Sequence, residues 1–161
     1  YAHPGKKLNF MGNEIGQLRE WDEKREQDWM LLDYPVHERF AHFMRDLNKL
    51  YLEHSAFWER DYSADGFQWI DCHQESKCIY VFQRNGKKES IISLFNFSDQ
   101  EQEYELNLPG VDKIRELLNS NLAVYGGSQK RKGGVKTLKN GKIVLTLPAY
   151  SSVYYMIQVP A

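Results

Sequence analysis

The hydrophobic period of this 161-residue chain changes once, at Asp65-Gly66. Ahead of that point apolar residues recur every three or four positions. Beyond it they alternate. A helix presents one face with a period of 3.6 and a strand one with a period of 2, so no single element satisfies both. The chain therefore divides into a short helical piece, residues 1–66, and an all-β piece, residues 67–161. In the first, Val36, Phe40, Phe43, Leu47 and Leu50 form one stripe, widened by Met44 and Tyr51. Pro35 suits the first helical position, where the missing N–H has no partner to lose. Asp33 is placed as a cap or dipole partner, and the helix should run to about His54. In the second piece, segments 67–71, 78–84, 90–97, 102–108, 113–118, 134–138, 142–147 and 152–159 read as strands. Asn85-Gly86 and Asn140-Gly141 read as two-residue hairpin turns with positive φ at both centres. Pro109-Gly110 and Gly126-Gly127 mark further turns. Short strands at this spacing predict an antiparallel sandwich or barrel.

Ahead of the helix, residues 6–11 form a short apolar run ending at Gly12 and read as a buried strand. Residues 19–28 hold eight charges in ten and read as a loop. One strand and one amphipathic helix cannot bury both their apolar faces. A strand followed by a helix is, however, one unit of a (β/α)8 barrel. The expected fold is thus α+β: the last βα unit of such a barrel, then an all-β antiparallel sandwich domain. The chain opens on Tyr1 without a secretory pattern, so it is expected to be a piece of something longer. Its first piece should then expose an apolar patch, and so self-associate or pack onto the β domain.

Composition excludes several classes. Leu, Ile, Val and Phe make up 40 residues and the net charge is -1, which is not the profile of a disordered chain. No apolar run approaches a membrane span. Lys and Arg number 9 against 13 Asp and Glu in residues 1–66, and 12 against 9 thereafter. Neither half carries the field of a nucleic-acid binder. Lys130-Arg131-Lys132 reads as a solvated loop. Cys72 and Cys78 make neither a disulfide framework nor a CxxC zinc pair, and reduced thiols point to the cytoplasm.

Asn13 and Glu14 follow the expected strand directly, where barrel enzymes place their active sites. They either face such a site or form a loop turn whose carboxylate caps the next segment. Glu14 and Asp28 could form the carboxylate pair that glycoside chemistry requires. Both, however, lie on one βα unit, and barrel enzymes draw such groups from several strands. Trp21 and Trp29 either stack on sugar rings or pack beneath the polar loop. Trp58 and Trp69 flank the junction and are expected in an interdomain core. His37 and His42 are five apart, a spacing that puts them on different helix faces and excludes an HExxH zinc site. No phosphate loop, dinucleotide fingerprint or GxSxG elbow occurs.

One run is specific. Pro4-Gly5-Lys6-Lys7-Leu8-Asn9-Phe10-Met11-Gly12-Asn13-Glu14-Ile15-Gly16-Gln17, then Arg19-Glu20-Trp21 and Asp28-Trp29-Met30-Leu31-Leu32, resembles the end of the catalytic barrel of bacterial-type 1,4-α-glucan (glycogen) branching enzymes, in the α-amylase superfamily. The likeness continues through Val36-His37, Arg45-Asp46-Leu47-Asn48, Leu50-Tyr51 and Gly66-Phe67-Gln68-Trp69-Ile70. It is looser over 78–161. The resemblance implies a parent that cleaves an α-1,4 link and transfers the freed chain to a 6-hydroxyl by retaining double displacement, with no metal or cofactor. It also implies that the catalytic carboxylates lie on earlier strands, one of them in a His-Asp-Glu segment. This chain holds no His-Asp dipeptide, so no residue here is assigned a catalytic role. Gly12, Asn13 and Glu14 match the segment after the eighth strand, and Trp21, Asp28 and Trp29 the loop beside the active site. These six are substrate-cleft candidates. The implied partners are an α-glucan (glycogen or amylose) and the remainder of the barrel. Two other readings stay open: a stand-alone glucan-binding β module, and another member of the superfamily such as a debranching enzyme. The Met11–Glu14 run with Trp21 and Asp28-Trp29 argues against the latter.

Overall fold

A computed structural model describes residues 1–158. One helix, α1, spans Pro35–Glu53. Eight strands follow: β1 (Phe67–Gln74), β2 (Ile79–Asn85), β3 (Ser90–Asn96), β4 (Gln102–Asn107), β5 (Lys113–Asn119), β6 (Val135–Thr137), β7 (Lys142–Leu147) and β8 (Ser151–Gln158). All eight expected strands form, within a few residues at each end. Position 159, where the last was expected to end, lies outside the described residues.

Six strands make one antiparallel sheet in the order β1-β2-β3-β8-β5-β6, and β4 and β7 make a separate ribbon. Period-2 alternation gives the large sheet two apolar faces. Ile79 and Val81 of β2, Ile92 and Leu94 of β3, and Val153 and Tyr155 of β8 meet Tyr104, Leu106, Leu145 and Leu147 of the ribbon. Phe82, Ile91 and Tyr154 point the other way and meet Leu47, Leu50, Ala56 and Phe57. The result is three layers: ribbon, sheet, helix. In β5 the register against β8 slips between Glu116 and Leu118. The extra residue is a β-bulge, and it carries Leu117 and Leu118 to the helix face while Ile114 stays on the ribbon face.

Arg84 fixes the junction. Its side chain is fully buried. Nη1 donates to Ala2 O at 2.8 Å and Nε to Gly66 O at 3.2 Å, and Nη2 pairs with the Asp61 carboxylate. One guanidinium thus ties the first residues, the segment after α1 and the sheet together.

Several expectations are corrected. Residues 6–11 do not form a strand. A strand needs a hydrogen-bonded neighbour, and among the described residues none lies beside this segment; Leu8 is 86% exposed and Phe10 45%. Asp33 does not cap α1. Tyr34 holds the N-cap position with no side-chain bond, and Asp33 ends the preceding 3-10 turn Trp29–Asp33. Asn85-Gly86 is not a two-residue hairpin. Asn85 stays in β2, and the loop closes through Gly86 N–H to Glu89 O at 2.8 Å. Gly86 serves close approach instead: a Cβ there would lie 3.1 Å from Ala56 N, Ser55 Oγ and Glu59 Oε2. Asn140-Gly141 does form the tight turn, with φ of 52° and 76°. Lys139 and Lys142 pair antiparallel across it, with N–H to O bonds of 2.9 and 3.0 Å, and only beyond that pair do the strands part, β6 to the sheet and β7 to the ribbon. Trp58 and Trp69 are not core residues. They are 45% and 47% exposed: Trp58 is held at the surface by its Nε1–H, donated to Tyr51 O at 3.1 Å, and Trp69 stands edge-on to Phe67 and Phe82 on the edge strand β1. The α1 stripe is only half used: Leu47 and Leu50 are buried, whereas Val36 and Phe40 are exposed.

Candidate functional site

The polar loop ahead of α1 is held by a small set of side chains. Gly12 has φ +93°, a left-handed conformation that favours glycine. A Cβ there would also sit 2.8 Å from Gln17 Cβ. Its carbonyl accepts the Ile15 N–H at 3.2 Å and the Gln17 N–H at 2.9 Å, which closes the 3-10 turn Asn13–Ile15. Gln17 then reaches across the loop. Its Oε1 accepts the Asp28 N–H at 3.0 Å, and its Nε2 donates to Arg19 O at 3.3 Å. Arg19 completes the knot. Nε lies 3.0 and 3.1 Å from the two Asp28 carboxylate oxygens, and Nη2 is 3.0 Å from Oδ1. Such a fork on a carboxylate fixes both groups in one plane. On the other side, His37 Nδ1 of α1 donates to Ile15 O at 2.8 Å, and Ile15 is buried beneath the turn.

Of the six residues singled out from the sequence, Gly12 and Asp28 come together through Gln17. Asn13 is exposed and Glu14 half-buried on the turn that Gly12 opens. Trp21 is exposed and stands edge-on to Phe10, with ring centres 5.3 Å apart. Trp29 is exposed at the start of the second 3-10 turn. Neither indole is packed beneath the loop. The Asp28 carboxylate is spent on Arg19, which suits a loop clamp better than a proton acceptor. The loop offers two indole faces and a fixed polar frame, which suits a sugar with an apolar C–H face and a polar rim. Among the described residues no group of three or more His, Cys, Asp or Glu converges on a metal position.

The side chains of Gln17, Arg19 and His37 build this frame, and none of the three is marked by its residue type or spacing in the sequence. A glutamine five residues past a left-handed glycine and an arginine nine before an aspartate carry no signal until the loop closes. Lys130, Arg131 and Lys132 are all exposed, as a solvated loop requires.

Burial of the tyrosines is the main electrostatic effect. Desolvation pushes the Tyr154 hydroxyl up to about 12. It also raises Tyr104, Tyr125 and Tyr155, each with a nearby carboxylate adding to the effect: Asp71, Asp46 and Glu116.

Residues 69–158 match the alpha amylase, C-terminal all-beta domain, and the chain belongs to that family. The protein is similar to 1,4-alpha-glucan branching enzyme GlgB of several bacteria. It is 38% identical to that of Aromatoleum aromaticum over 168 residues, covering 99% of this chain and 26% of the relative. It is 37% identical to that of Aquifex aeolicus over 164 residues, 96% of this chain and 26% of the relative. With the Oceanobacillus iheyensis protein the identity is 39% over 131 residues, 80% of this chain and 21% of the relative. The chain thus spans about a quarter or less of these relatives. Among solved structures, AmyP in complex with maltose superposes with a TM-score of 0.59 at 14% identity, over 78% of this chain and 22% of that one. MutB in complex with isomaltulose gives 0.51 at 18%, over 74% and 18%. At these identities the likeness is one of fold.

Proposed function

We propose that this chain is the carboxyl-terminal part of a 1,4-α-glucan branching enzyme. In this reading residues 1–66 are the end of the catalytic barrel, namely its eighth strand position, polar loop and eighth helix. Residues 67–161 are the C-terminal β domain. The observation that carries it is the 37–38% identity that runs over nearly the whole chain, polar loop included. The parent cleaves an α-1,4 link in glycogen or amylose and rejoins the freed chain at a 6-hydroxyl, through a glycosyl-enzyme on one carboxylate and an acid/base on another. Those carboxylates belong to strands outside this segment, so the chain alone forms no branches. Here Gly12, Asn13, Glu14, Trp21, Asp28 and Trp29 line the cleft. The exposed indoles lie against sugar rings, and the Gln17–Arg19–Asp28 knot holds the loop in shape. In the whole barrel residues 6–11 gain the neighbouring strands that they lack here. The location we assign is the cytoplasm, where free Cys72 and Cys78 stay reduced.

The test is a chimera in which this chain replaces the matching segment of the Aromatoleum aromaticum enzyme. Branch formation on amylose is followed by the fall in iodine absorbance. The chimera should branch and the isolated chain should not. A folded, correctly assembled chimera without activity refutes the reading, as does branching by the chain alone.

A further inference from the structure

The sheet face that meets α1 is closed over its middle and open at one end. Ala2, Ala56 and Phe57 close over Phe82 and Ile91, and Leu47 and Leu50 of α1 close over Tyr154, Leu117 and Leu118. Past that cover, Tyr80 of β2, Phe95 of β3 and Ser152 of β8 stand side by side as direct register partners. Adjacent strands lie about 4.8 Å apart, so this row is roughly 10 Å long. Phe97, just past β3, and Tyr150, just before β8, extend the surface outward. The Phe97 ring lies parallel to Phe95 at 5.8 Å and is 5.9 Å from Tyr80. Phe97 is 61% exposed and Tyr150 72%. Two hollows of about 530 and 390 Å³ meet at Phe95 and Phe97 and form one trough. Both its walls belong to this chain: Val36, Phe40 and Phe43 of α1 on one side, Tyr1 to His3 on the other.

From this geometry we infer that the trough between α1 and the β domain binds a stretch of α-glucan chain, with sugar rings against Phe97 and Tyr150 and sugar hydroxyls on the Tyr80 and Tyr150 oxygens. Three observations select that occupant. The first is charge. Asp, Glu, Lys and Arg make up 27% of the chain, yet none of them lines either hollow. A wall of that kind suits a neutral ligand, because a charged one would lose its water and gain no counter-charge. The second is unused hydrogen-bonding capacity. Among the described residues the Tyr80 and Tyr150 hydroxyls bond to nothing, whereas those of Tyr104, Tyr125 and Tyr155 each meet a carboxylate. A sugar ring offers an apolar C–H face to an aromatic side chain and a rim of hydroxyls to such groups. An apolar protein face would leave both oxygens without partners. The third is Tyr150 itself. Its φ is +49°, a region in which a bulky side chain is strained. A residue 72% exposed recovers little of that by packing. The backbone there holds an aromatic ring out at the mouth of the trough, as a binding surface requires. The trough lies at the junction of the two pieces of the chain, where ligand sites are common. Its chemistry asks for a neutral, polyhydroxylated ring, and the choice of an α-glucan rests on the function proposed above.

Affinity electrophoresis of the full chain through native gels containing amylose tests this. The chain should be retarded by amylose and not by a neutral galactomannan. A Phe97→Ala, Tyr150→Ala double variant should bind at least about fivefold more weakly, since it loses two ring surfaces. A Tyr80→Phe, Tyr150→Phe double variant keeps the rings and removes two oxygens, and it should bind about threefold to tenfold more weakly. Trp21→Ala, Trp29→Ala, on the polar loop, should leave most of the retardation in place. No retardation by amylose, equal retardation by galactomannan, or retardation that survives both trough variants and disappears with the loop variant overturns the inference. So does a wild-type dimer in light scattering that Phe97→Ala, Tyr150→Ala dissolves while amylose binding is unchanged, because the trough is then a contact between copies. Both alanine sites are more than half exposed, so Tm should hold. If it falls, the phenylalanine variant decides alone, and undiminished binding by it refutes the site. A branching chimera together with trough variants that bind amylose normally would leave the proposed function standing and this site refuted. An inactive chimera together with trough-dependent amylose binding would do the reverse.

Discussion

Replacing Arg84 by methionine keeps the length of the side chain and removes its charge. Three partners are then stranded. The Asp61 carboxylate, only 8% exposed, loses its cation, and the carbonyls of Ala2 and Gly66 lose their donors. Removing one member of a buried pair costs about 3–5 kcal/mol, because the remaining charge has no water to turn to. In a domain of this size 1 kcal/mol moves Tm by about 2–4 °C, so Arg84→Met should lower it by about 6–20 °C. Asp61→Asn should cost less, since Arg84 keeps its two carbonyl partners. The Arg84→Met, Asp61→Asn double variant leaves no unpaired charge and should lose less than the sum of the two single changes, by about 1–3 kcal/mol. Urea titrations of the four proteins give these values directly. Trypsin should also release the first residues of Arg84→Met, which Arg84 holds through Ala2. A loss below about 1 kcal/mol for Arg84→Met, or strict additivity in the cycle, would refute the argument that this pair ties the layers together.

Three further outcomes are expected. Gln17→Ala should open the loop over residues 19–28, speeding tryptic cutting at Lys24 and Arg25 several-fold; urea stability should move by no more than about 0.5 kcal/mol, because the sheet core is untouched. Gly141→Ala should cost about 1–3 kcal/mol, since φ is +76° and the new Cβ would lie 2.5 Å from Leu108 O; Gly110→Ala, with φ +79° but nothing within 4 Å, should lose only about 1 kcal/mol in the same titration. Because burial raises the Tyr154 hydroxyl to about 12, above its unfolded value near 10, the folded state holds that proton longer. The stability this provides is full below pH 10 and is lost as pH rises toward 12, by up to about 1.4 kcal/mol per pH unit; Tyr154→Phe should flatten the denaturation-against-pH curve by that slope.

The β strands were legible because period-2 alternation reports a face, and the face survives whatever the strand pairs with. Pairing was not legible. Asn140-Gly141 has the chemistry of a hairpin turn and the dihedral angles of one, yet its flanking strands go to different layers. Asn85-Gly86 has the same chemistry, and there the glycine answers to Ser55, Ala56 and Glu59, more than 25 residues away. Residues 6–11 carry the apolar run of a strand, but a run does not supply a ladder partner. The helix was legible through its stripe, although the sequence could not say that Val36 and Phe40 would be left uncovered. At the polar loop, Trp21, Asp28 and Trp29 stood out by residue type. The knot that shapes the loop depends on Gln17 and Arg19, whose partners are set by closure.

The position of β8 has a consequence for synthesis. Among the described residues, β3 and β5 each pair with β8, and β8 alone joins β1–β3 to β5–β6. Residues 151–158 are also the last of these strands to leave the ribosome. Until they arrive, the three strands β1–β3 and the pair β5–β6 wait with open edges, and edges of that kind invite pairing with other chains. Contacts of such long sequence separation are slow to form. The chain therefore cannot finish its sheet as it emerges, and a nascent product cut short before residue 151 lacks the strand that joins its halves.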